Sequence, residues 1–199
     1  MPDKLALKGS AKTVADYFEF AINNILFQRG IYPSEDFRTV RKYALPMLVT
    51  NDPEVKAYID AIMTALRKWI YGGAIRKLVV VFISKLTTEP VEKWEFEVEK
   101  TSELTDDGAV KDSMEVQREI QSLIRQITLL VLYLPVLSDD EYTFNVLVHT
   151  DPAHTVIPSD WCDGKDQQIE GGNVDVVQFR TFLTNIHQIG TAVTYKYRD

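Results

Sequence analysis

The chain has 199 residues, of which 45% are hydrophobic and 26% charged, and this length lets one domain bury its own core without metal or disulfide staples. Its 22 basic and 29 acidic residues give a net charge of −7, which argues against a general binder of nucleic acid or anionic membranes. The lone cysteine, Cys162, excludes an intrachain disulfide and a cysteine-rich zinc site. Because the sequence has neither the apolar core of a signal peptide nor the ~20 apolar residues of a membrane span, we expect an intracellular protein.

The first half of the chain predicts two amphipathic helices. Ser10 can cap a helix that runs to about Arg29, where Gly30 supplies a stop. Asp52 followed by Pro53 predicts the start of a second helix, because proline is tolerated in the first turn. Helical spacing places these residues inward: Val14, Phe18, Ile22, Ile25 and Leu26 in the first helix, and Val55, Ile59, Ile62, Leu66 and Trp69 in the second, which Gly72 and Gly73 end.

The middle of the chain predicts strands. The run from Lys77 to Ile83 is almost continuously apolar and rich in β-branched residues, which suits a strand buried on both faces. Residues 94–99 alternate strictly, which predicts a half-buried strand with three glutamates facing water. Residues 37–49 are ambiguous, although Pro46 argues against a long regular helix there. The polar residues 101–112 predict a loop.

A third helix is predicted from Asp112, which resembles a capping box with Glu115, to Leu134, where Pro135 ends it. Its core stripe is Val116, Ile120, Leu123, Ile127, Leu130 and Leu134. A second face carries Arg125, Leu129, Leu132 and Tyr133. Apolar residues on two faces indicate either complete burial or an exposed binding patch, and Arg125 favours exposure because arginine is rarely buried without a partner.

The last third of the chain contains more strand than one small sheet needs. An alternating run from Tyr142 to His149 is followed by a polar stretch, and two more strand-like runs come after it. A terminal segment of strand character on a flexible loop can pair in more than one place. The order of elements predicts a single α+β domain, in which three helices pack on one face of a mostly antiparallel sheet with a mobile C-terminal β segment.

Motifs that carry chemistry are missing from the sequence. It has no nucleophile elbow, phosphate-binding loop, dinucleotide fingerprint or zinc-protease helix. The histidines His149, His154 and His187 lack a converging set of ligands, and Cys162 lacks a nearby base that would activate its thiol. We therefore expect no enzyme activity, metal or cofactor, and a function carried by backbone pairing.

Five segments of the chain resemble the HORMA-domain spindle assembly checkpoint proteins of the mitotic arrest deficient two family. The two that discriminate most read QRGIYP, within residues 24–33, and IRQIT, within residues 124–135. The others are LKGS at residues 7–10, KLVVV at residues 77–81, and a threonine three residues before histidine at 184–187. Together these segments span essentially the whole chain with compatible spacing.

This resemblance implies a non-enzymatic adaptor with an open and a closed state. In the closed state a C-terminal belt, here about residues 157–199 on a core of about residues 8–150, wraps a partner peptide that adds to the sheet as a strand. The implied partners are a kinetochore coiled-coil receptor, the WD40-repeat activator of the anaphase-promoting complex, a HORMA-like silencing protein and an AAA+ remodeller. The implied location is the nucleus, kinetochore and cytoplasm.

Residue by residue, the resemblance implies two functional sets. The peptide-binding set is Trp69, Tyr142, Phe144, Val146, Leu147, Val148, Tyr195 and Tyr197. The set at which open and closed copies pair, or meet other partners, is Arg125, Gln126, Leu129, Leu132, Tyr133, Arg180 and Phe182. Leu132 and Tyr133 stand where the family usually has threonine and phenylalanine, which bears on the partner preference of this surface.

Three alternatives stay open at this point. A HORMA adaptor of the translesion-polymerase or meiotic axis branch would keep peptide capture and change the partner. A small hydrolase would use His187 or Cys162. A plain structural subunit would have one fold and no switch.

Overall fold

The computed structural model describes residues 4–101, 112–137, 141–153 and 156–197. In these ranges the α-helices are α1 (Lys4–Arg29), α2 (Pro53–Gly72) and α3 (Ser113–Leu130), with short 3-10 turns at Ser34–Asp36 and Val131–Tyr133. The strands are β1 (Phe37–Lys42), β2 (Leu45–Thr50), β3 (Ile75–Ser84), β4 (Pro90–Lys100), β5 (Tyr142–Thr150), β6 (Val174–Gln178), β7 (Phe182–Leu183) and β8 (His187–Lys196).

The strands of the described residues form a hairpin and one larger sheet, and every pairing is antiparallel. The hairpin is β1 with β2, and the order across the larger sheet is β5-β3-β4-β8-β6, with the short β7 also on β8. Helix α1 contacts both other helices as well as β2 and β8, so the helices form one layer against the sheet. The predicted α+β fold class is confirmed.

Helix α2 follows its local sequence signals. The Asp52 side chain accepts hydrogen bonds from the backbone N–H groups of Glu54 and Val55, at 2.8 and 2.9 Å. Gly73 ends the helix with φ of 70°, a left-handed conformation that glycine adopts without strain. All five residues predicted to face inward are buried. Capping residues and helical spacing were sufficient to predict α2, because each acts within a few residues.

Helix α1 begins at Lys4, so the prediction that Ser10 caps it was wrong. Ser10 lies inside the helix and is buried, and its hydroxyl bonds to the Thr184 hydroxyl and to His187 Nδ1, each at 2.6 Å. A serine that looks like a cap is thus used in a long-range contact. Helix α1 is buried on more than its predicted face, because α2, α3 and the hairpin surround it.

The ambiguous residues 37–49 form the β1–β2 hairpin. Its turn residues, Tyr43 and Ala44, have φ of 51° and 53°, which match the two-residue turns that favour strand twist. Pro46 lies in β2, a strand paired on one side in the described residues, where a missing N–H is tolerated.

Strands β3 and β4 agree with their predicted patterns. Leu78 to Phe82 are buried in β3, and Trp94, Phe96 and Val98 are buried in β4. Glu97 and Glu99 are exposed, whereas Glu95 is half-buried and pairs with Lys77 at 3.0 Å. The larger sheet therefore has one face under the helices and one charged outer face.

Helix α3 ends at Leu130 and continues as a 3-10 turn, so the predicted helix to Leu134 was slightly too long. Asp112 accepts a hydrogen bond from the Met114 amide, as a cap does. The core stripe is buried except for Leu130, which is half-buried. Most of the predicted loop at residues 101–112 lies outside the described residues. None of the helices in the described ranges combines the length and hydropathy needed to span a bilayer.

Candidate functional site

Strand β5 forms one edge of the larger sheet. It pairs with β3 over its full length, with Val146 opposite Val80, and the described residues place no strand on its other side. Phe144 and Val146 point toward the helices and are buried, whereas Leu147 is half-buried on the opposite face. An edge strand presents a row of backbone N–H and C=O groups, which a further strand can pair with.

Residues 156–173, which we name the belt loop, pass along this outer edge. A cleft of about 140 Å³ separates the two, lined by Val146 to His149 on β5 and by Trp161, Cys162 and residues 164–166 of the belt loop. A Cβ atom added at Gly164 would lie 3.1 Å from Leu147 Cδ2, so the belt loop passes close to this side chain. A strand inserted here would push the belt loop outward.

Two tryptophans fasten the belt loop to the domain. The rings of Trp69, from α2, and Trp161 meet edge to face, with centroids 4.8 Å apart. Trp69 Nε1 also donates a hydrogen bond to the Val156 carbonyl at 3.4 Å. Trp69 thus contacts the belt loop directly, at the side of the β5 edge.

The chain beyond the belt loop lies on the other side of the sheet. We name β6, β7 and β8 the C-terminal strands. Strand β8 pairs with β4 from Glu92 to Lys100, and β6 pairs with β8. The belt loop therefore connects β5 at one edge to the C-terminal strands at the opposite edge.

This arrangement does not bring Tyr195 and Tyr197 to the candidate cleft. Tyr195 lies on β8 opposite Glu92, and strands β3 and β4 separate it from β5. Its hydroxyl donates to Asp175 Oδ2 on β6, at 3.2 Å. Tyr197 follows β8, where its amide donates to the Asn173 carbonyl. Both tyrosines are removed from the peptide-binding set, because the pairing of β8 decides their position.

Phe182 also differs from its predicted place at a partner surface. Its side chain has no exposed surface, and its ring meets that of Tyr17 edge to face at 4.9 Å. It is a core residue through which the C-terminal strands dock on α1. Arg180, two residues earlier, is exposed, as a surface role requires.

A buried polar cluster joins the C-terminal strands to α1. Ser10 contacts Thr184 and His187 as described, and the hydroxyls of Tyr17 and Thr191 lie 3.1 Å apart. Burial, assisted by the positive charge of Lys100, lowers the pKa of His187 to about 4. A histidine with that pKa is a weak general base at neutral pH, so the buried contact between Ser10 and His187 is a poor hydrolytic pair.

The HORMA domain family pattern matches residues 10–187 of this chain. The chain belongs to the HORMA domain family. It is 46% identical over 96% of its length to the mitotic spindle checkpoint component mad2 of Schizosaccharomyces pombe, covering 94% of that protein. It is 44% identical over 99% of its length to the mitotic spindle checkpoint component MAD2 of Saccharomyces cerevisiae, covering all of that protein, and 41% identical over 96% of its length to MAD2A of Homo sapiens, covering 93%.

Solved structures agree with this assignment. A chain in the crystal structure of the mitotic checkpoint complex matches with a TM-score of 0.84 and 44% identity, over 95% of this chain and 99% of that one. The Caenorhabditis elegans protein HTP-2, bound to the HIM-3 closure motif, matches with a TM-score of 0.76, over 96% of this chain and 92% of that one, but at 15% identity shares the fold alone. The predicted resemblance is confirmed, and the checkpoint branch is favoured over the alternative HORMA branches.

The second face of α3 is exposed in this HORMA domain, which decides between the two readings that the sequence left open. Leu129, Leu132 and Tyr133 are 60%, 79% and 81% exposed, and Arg125 is exposed beside them. Gln126 is half-buried. We name Arg125, Leu129, Leu132 and Tyr133 the helical surface. Neighbouring exposed apolar side chains beside an arginine are typical of a site of protein contact.

Sequence reasoning missed Trp161 at the cleft and Tyr58 at strand β5. Trp161 is an aromatic residue in a polar stretch, and only its distance to Trp69 shows what it does. Tyr58 adjoins the inward stripe of α2, so spacing gave no sign that its hydroxyl lies within 3.2 Å of the Val146 amide nitrogen. His154 lies outside the described residues.

Proposed function

We propose that this HORMA protein is a spindle assembly checkpoint adaptor, not an enzyme, that captures partner peptides by strand addition. The peptide pairs with the outer edge of β5, and the belt loop holds it in place. The observation that carries the proposal is the cleft between an edge strand and a belt loop fixed at both ends. Its peptide-binding residues are Trp69, Tyr142, Phe144, Val146, Leu147 and Val148, to which we add Trp161.

Main-chain pairing supports capture of this kind. Antiparallel geometry alternates the direction of backbone groups, so the N–H and C=O groups of Phe144, Val146 and Val148 point away from β3. Each hydrogen bond made there contributes only about 1 kcal/mol net. Because the belt loop crosses outside the captured strand, the peptide leaves only after that loop moves. Slow release then comes from the belt loop, while the side-chain pockets select the peptide.

The position of the C-terminal strands corresponds to the closed state of the proposed switch. With β8 on β4, the edge of β5 is left for a peptide. In the open state we propose that these strands leave β4, so the belt loop no longer encloses the edge. The segment 157–199 thus acts as the moving part on a core of residues 8–150.

The proposed partners follow from the family and its checkpoint relatives. They are a kinetochore coiled-coil receptor, the WD40-repeat activator of the anaphase-promoting complex, a HORMA-like silencing protein and an AAA+ remodeller. Sequestering the activator would delay anaphase, at kinetochores as well as in the nucleus and cytoplasm. The identities of 41–46% to spindle checkpoint proteins support this branch.

The helical surface serves a separate contact in this proposal. Open and closed copies pair through Arg125, Gln126, Leu129, Leu132 and Tyr133, with Arg180 at the margin. The helical surface lies on α3 and the 3-10 turn that follows it, and neither element lines the cleft, which supports independent use of the two sites. Leu183 of β7 donates its amide to Glu119 Oε2 on α3 at 3.3 Å, so docking of the C-terminal strands is linked to this helix.

A titration with a receptor-derived peptide tests the proposal. Deleting residues 190–199 removes most of β8, so we expect loss of high-affinity capture from a chain that keeps its helical circular dichroism. Arg125→Ala is the matched control, which should capture the peptide normally and lose self-association in size-exclusion chromatography. Unchanged affinity in the truncated chain would contradict the role of the belt, and loss of capture in Arg125→Ala would contradict the separation of the two sites.

A further inference from the structure

Tyr58 on α2 reaches the middle of strand β5, the edge strand of the sheet. Its ring packs edge to face against Phe144 of β5, with centroids 5.6 Å apart. Its hydroxyl oxygen accepts a hydrogen bond from the Val146 amide at 3.2 Å. The side chain is 40% exposed, so the ring is held by β5 while part of it faces solvent.

The bond from Val146 identifies which backbone group Tyr58 occupies. Val146 lies opposite Val80, and its N–H donates to a side chain of α2, so it faces away from β3. A strand added to β5 in either direction needs this N–H as a donor to one of its carbonyls. The hydroxyl therefore stands where a peptide carbonyl has to be.

We propose that the Tyr58 hydroxyl is a removable cap on the receiving edge. This inference rests on the proposed peptide capture and concerns how the same cleft is regulated. In the peptide-free protein the cap satisfies the Val146 amide. On capture, a peptide carbonyl replaces the hydroxyl, which turns to solvent without being left buried and unbonded.

The cap has two consequences that follow from the chemistry of edges. An unpaired edge invites pairing with unrelated strands, and proteins commonly block such edges. The cap also competes with every peptide, so a weak binder that offers only one or two backbone bonds gains little by displacing it. A peptide that also fills the side-chain pockets binds in spite of the competition. The cap thereby raises the threshold for capture.

Tyr58→Phe removes the hydroxyl and keeps the ring against Phe144. A neutral hydrogen bond of typical net strength corresponds to about a fivefold change in an equilibrium constant. We expect Tyr58→Phe to bind a receptor-derived peptide about fivefold more tightly than the wild-type chain. Tyr71→Phe is the matched control, because Tyr71 is an exposed tyrosine on the same helix, and the Kd of this variant for the peptide should be unchanged.

A second readout needs no peptide. In the full-length, peptide-free chain, the Val146 amide should exchange with deuterium about fivefold faster in Tyr58→Phe than in the wild type, while the Val80 amide is unaffected. Equal Val146 exchange in the two proteins would overturn the cap. The cap would also be overturned if Tyr58→Phe bound the peptide with the same affinity as the wild type or more weakly. If neither protein binds the peptide, the proposed capture fails, and the exchange of Val146 still decides whether the cap exists.

Discussion

The two edges of the larger sheet differ in how the chain covers them. On one side, β8 pairs continuously with β4 from Glu92 to Lys100. Phe182 of β7 and Ile189 and Val193 of β8 are fully buried there. At the β5 side, the belt loop passes without strand pairing and leaves a cleft. The C-terminal segment is therefore anchored at its end and weakly held in its middle. This difference indicates that anchoring and capture are separate tasks of one segment.

The anchored side should be the most sensitive to mutation. Truncating a fully buried phenylalanine typically lowers the free energy of unfolding by about 3–5 kcal/mol, so Phe182→Ala should destabilise the protein by this amount in urea denaturation. The neighbouring Leu183→Ala is the control, because Leu183 is 37% exposed and should lose far less. Equal losses in the two variants would remove the distinction between the anchored strands and the rest of the segment.

The anchored side should also respond to acid through His187. Its pKa is about 4 in the folded protein and 6.5 when unfolded, so between these values the unfolded chain binds more protons. Neutral His187 makes its full contribution to the free energy of unfolding above pH 6.5. As the pH falls toward 4, this free energy decreases by up to about 3 kcal/mol.

Unfolding free energies of the wild type and His187→Gln, measured from pH 7 to pH 4.5, check this effect. The wild type should lose stability more steeply with falling pH, because the variant has no group to protonate at this position. Parallel curves would show that His187 does not report on docking of the C-terminal strands.

Substitutions in the belt loop should change the free energy of unfolding least and should clearly change the rate at which a bound peptide dissociates. Trp161→Ala removes the ring contact with Trp69, an interaction of about 1 kcal/mol, so a bound receptor-derived peptide should dissociate about fivefold faster. Trp161→Phe keeps an aromatic ring, so its peptide dissociation rate should lie between those of the wild type and Trp161→Ala. A dissociation rate that neither variant changes would mean that the belt loop does not hold the peptide.

How far the sequence predicts this structure depends on the range of the interaction. The start and end of α2 follow from Asp52 and Gly73, which act on adjacent residues. The alternation of β4 was also readable, because it is a local pattern. The second apolar face of α3 was readable too, but Arg125 only favoured its exposure, which the structure then decided. Resemblance to the family then supplied the cleft, which periodicity alone would not have located.

The failures lie where distant segments meet. Ser10 was taken as a cap because its contacts with Thr184 and His187 span more than 170 residues. Phe182 and Tyr195 were assigned by resemblance to the family, which did not say which strand the C-terminal segment pairs with in this chain. Tyr58 was missed because its role depends on the orientation of one amide in β5.

The central claim is that a peptide adds to β5 under the belt loop while β8 stays on β4. Residue-resolved amide exchange, with and without a receptor-derived peptide, measures this directly. We predict new protection at the Phe144 and Val148 amides of β5 and within residues 156–173, with β8 protected in both states. The Val146 amide, which already donates to Tyr58, should gain less protection. New protection elsewhere with none at these β5 amides, or loss of protection in β8 on binding, would contradict the account.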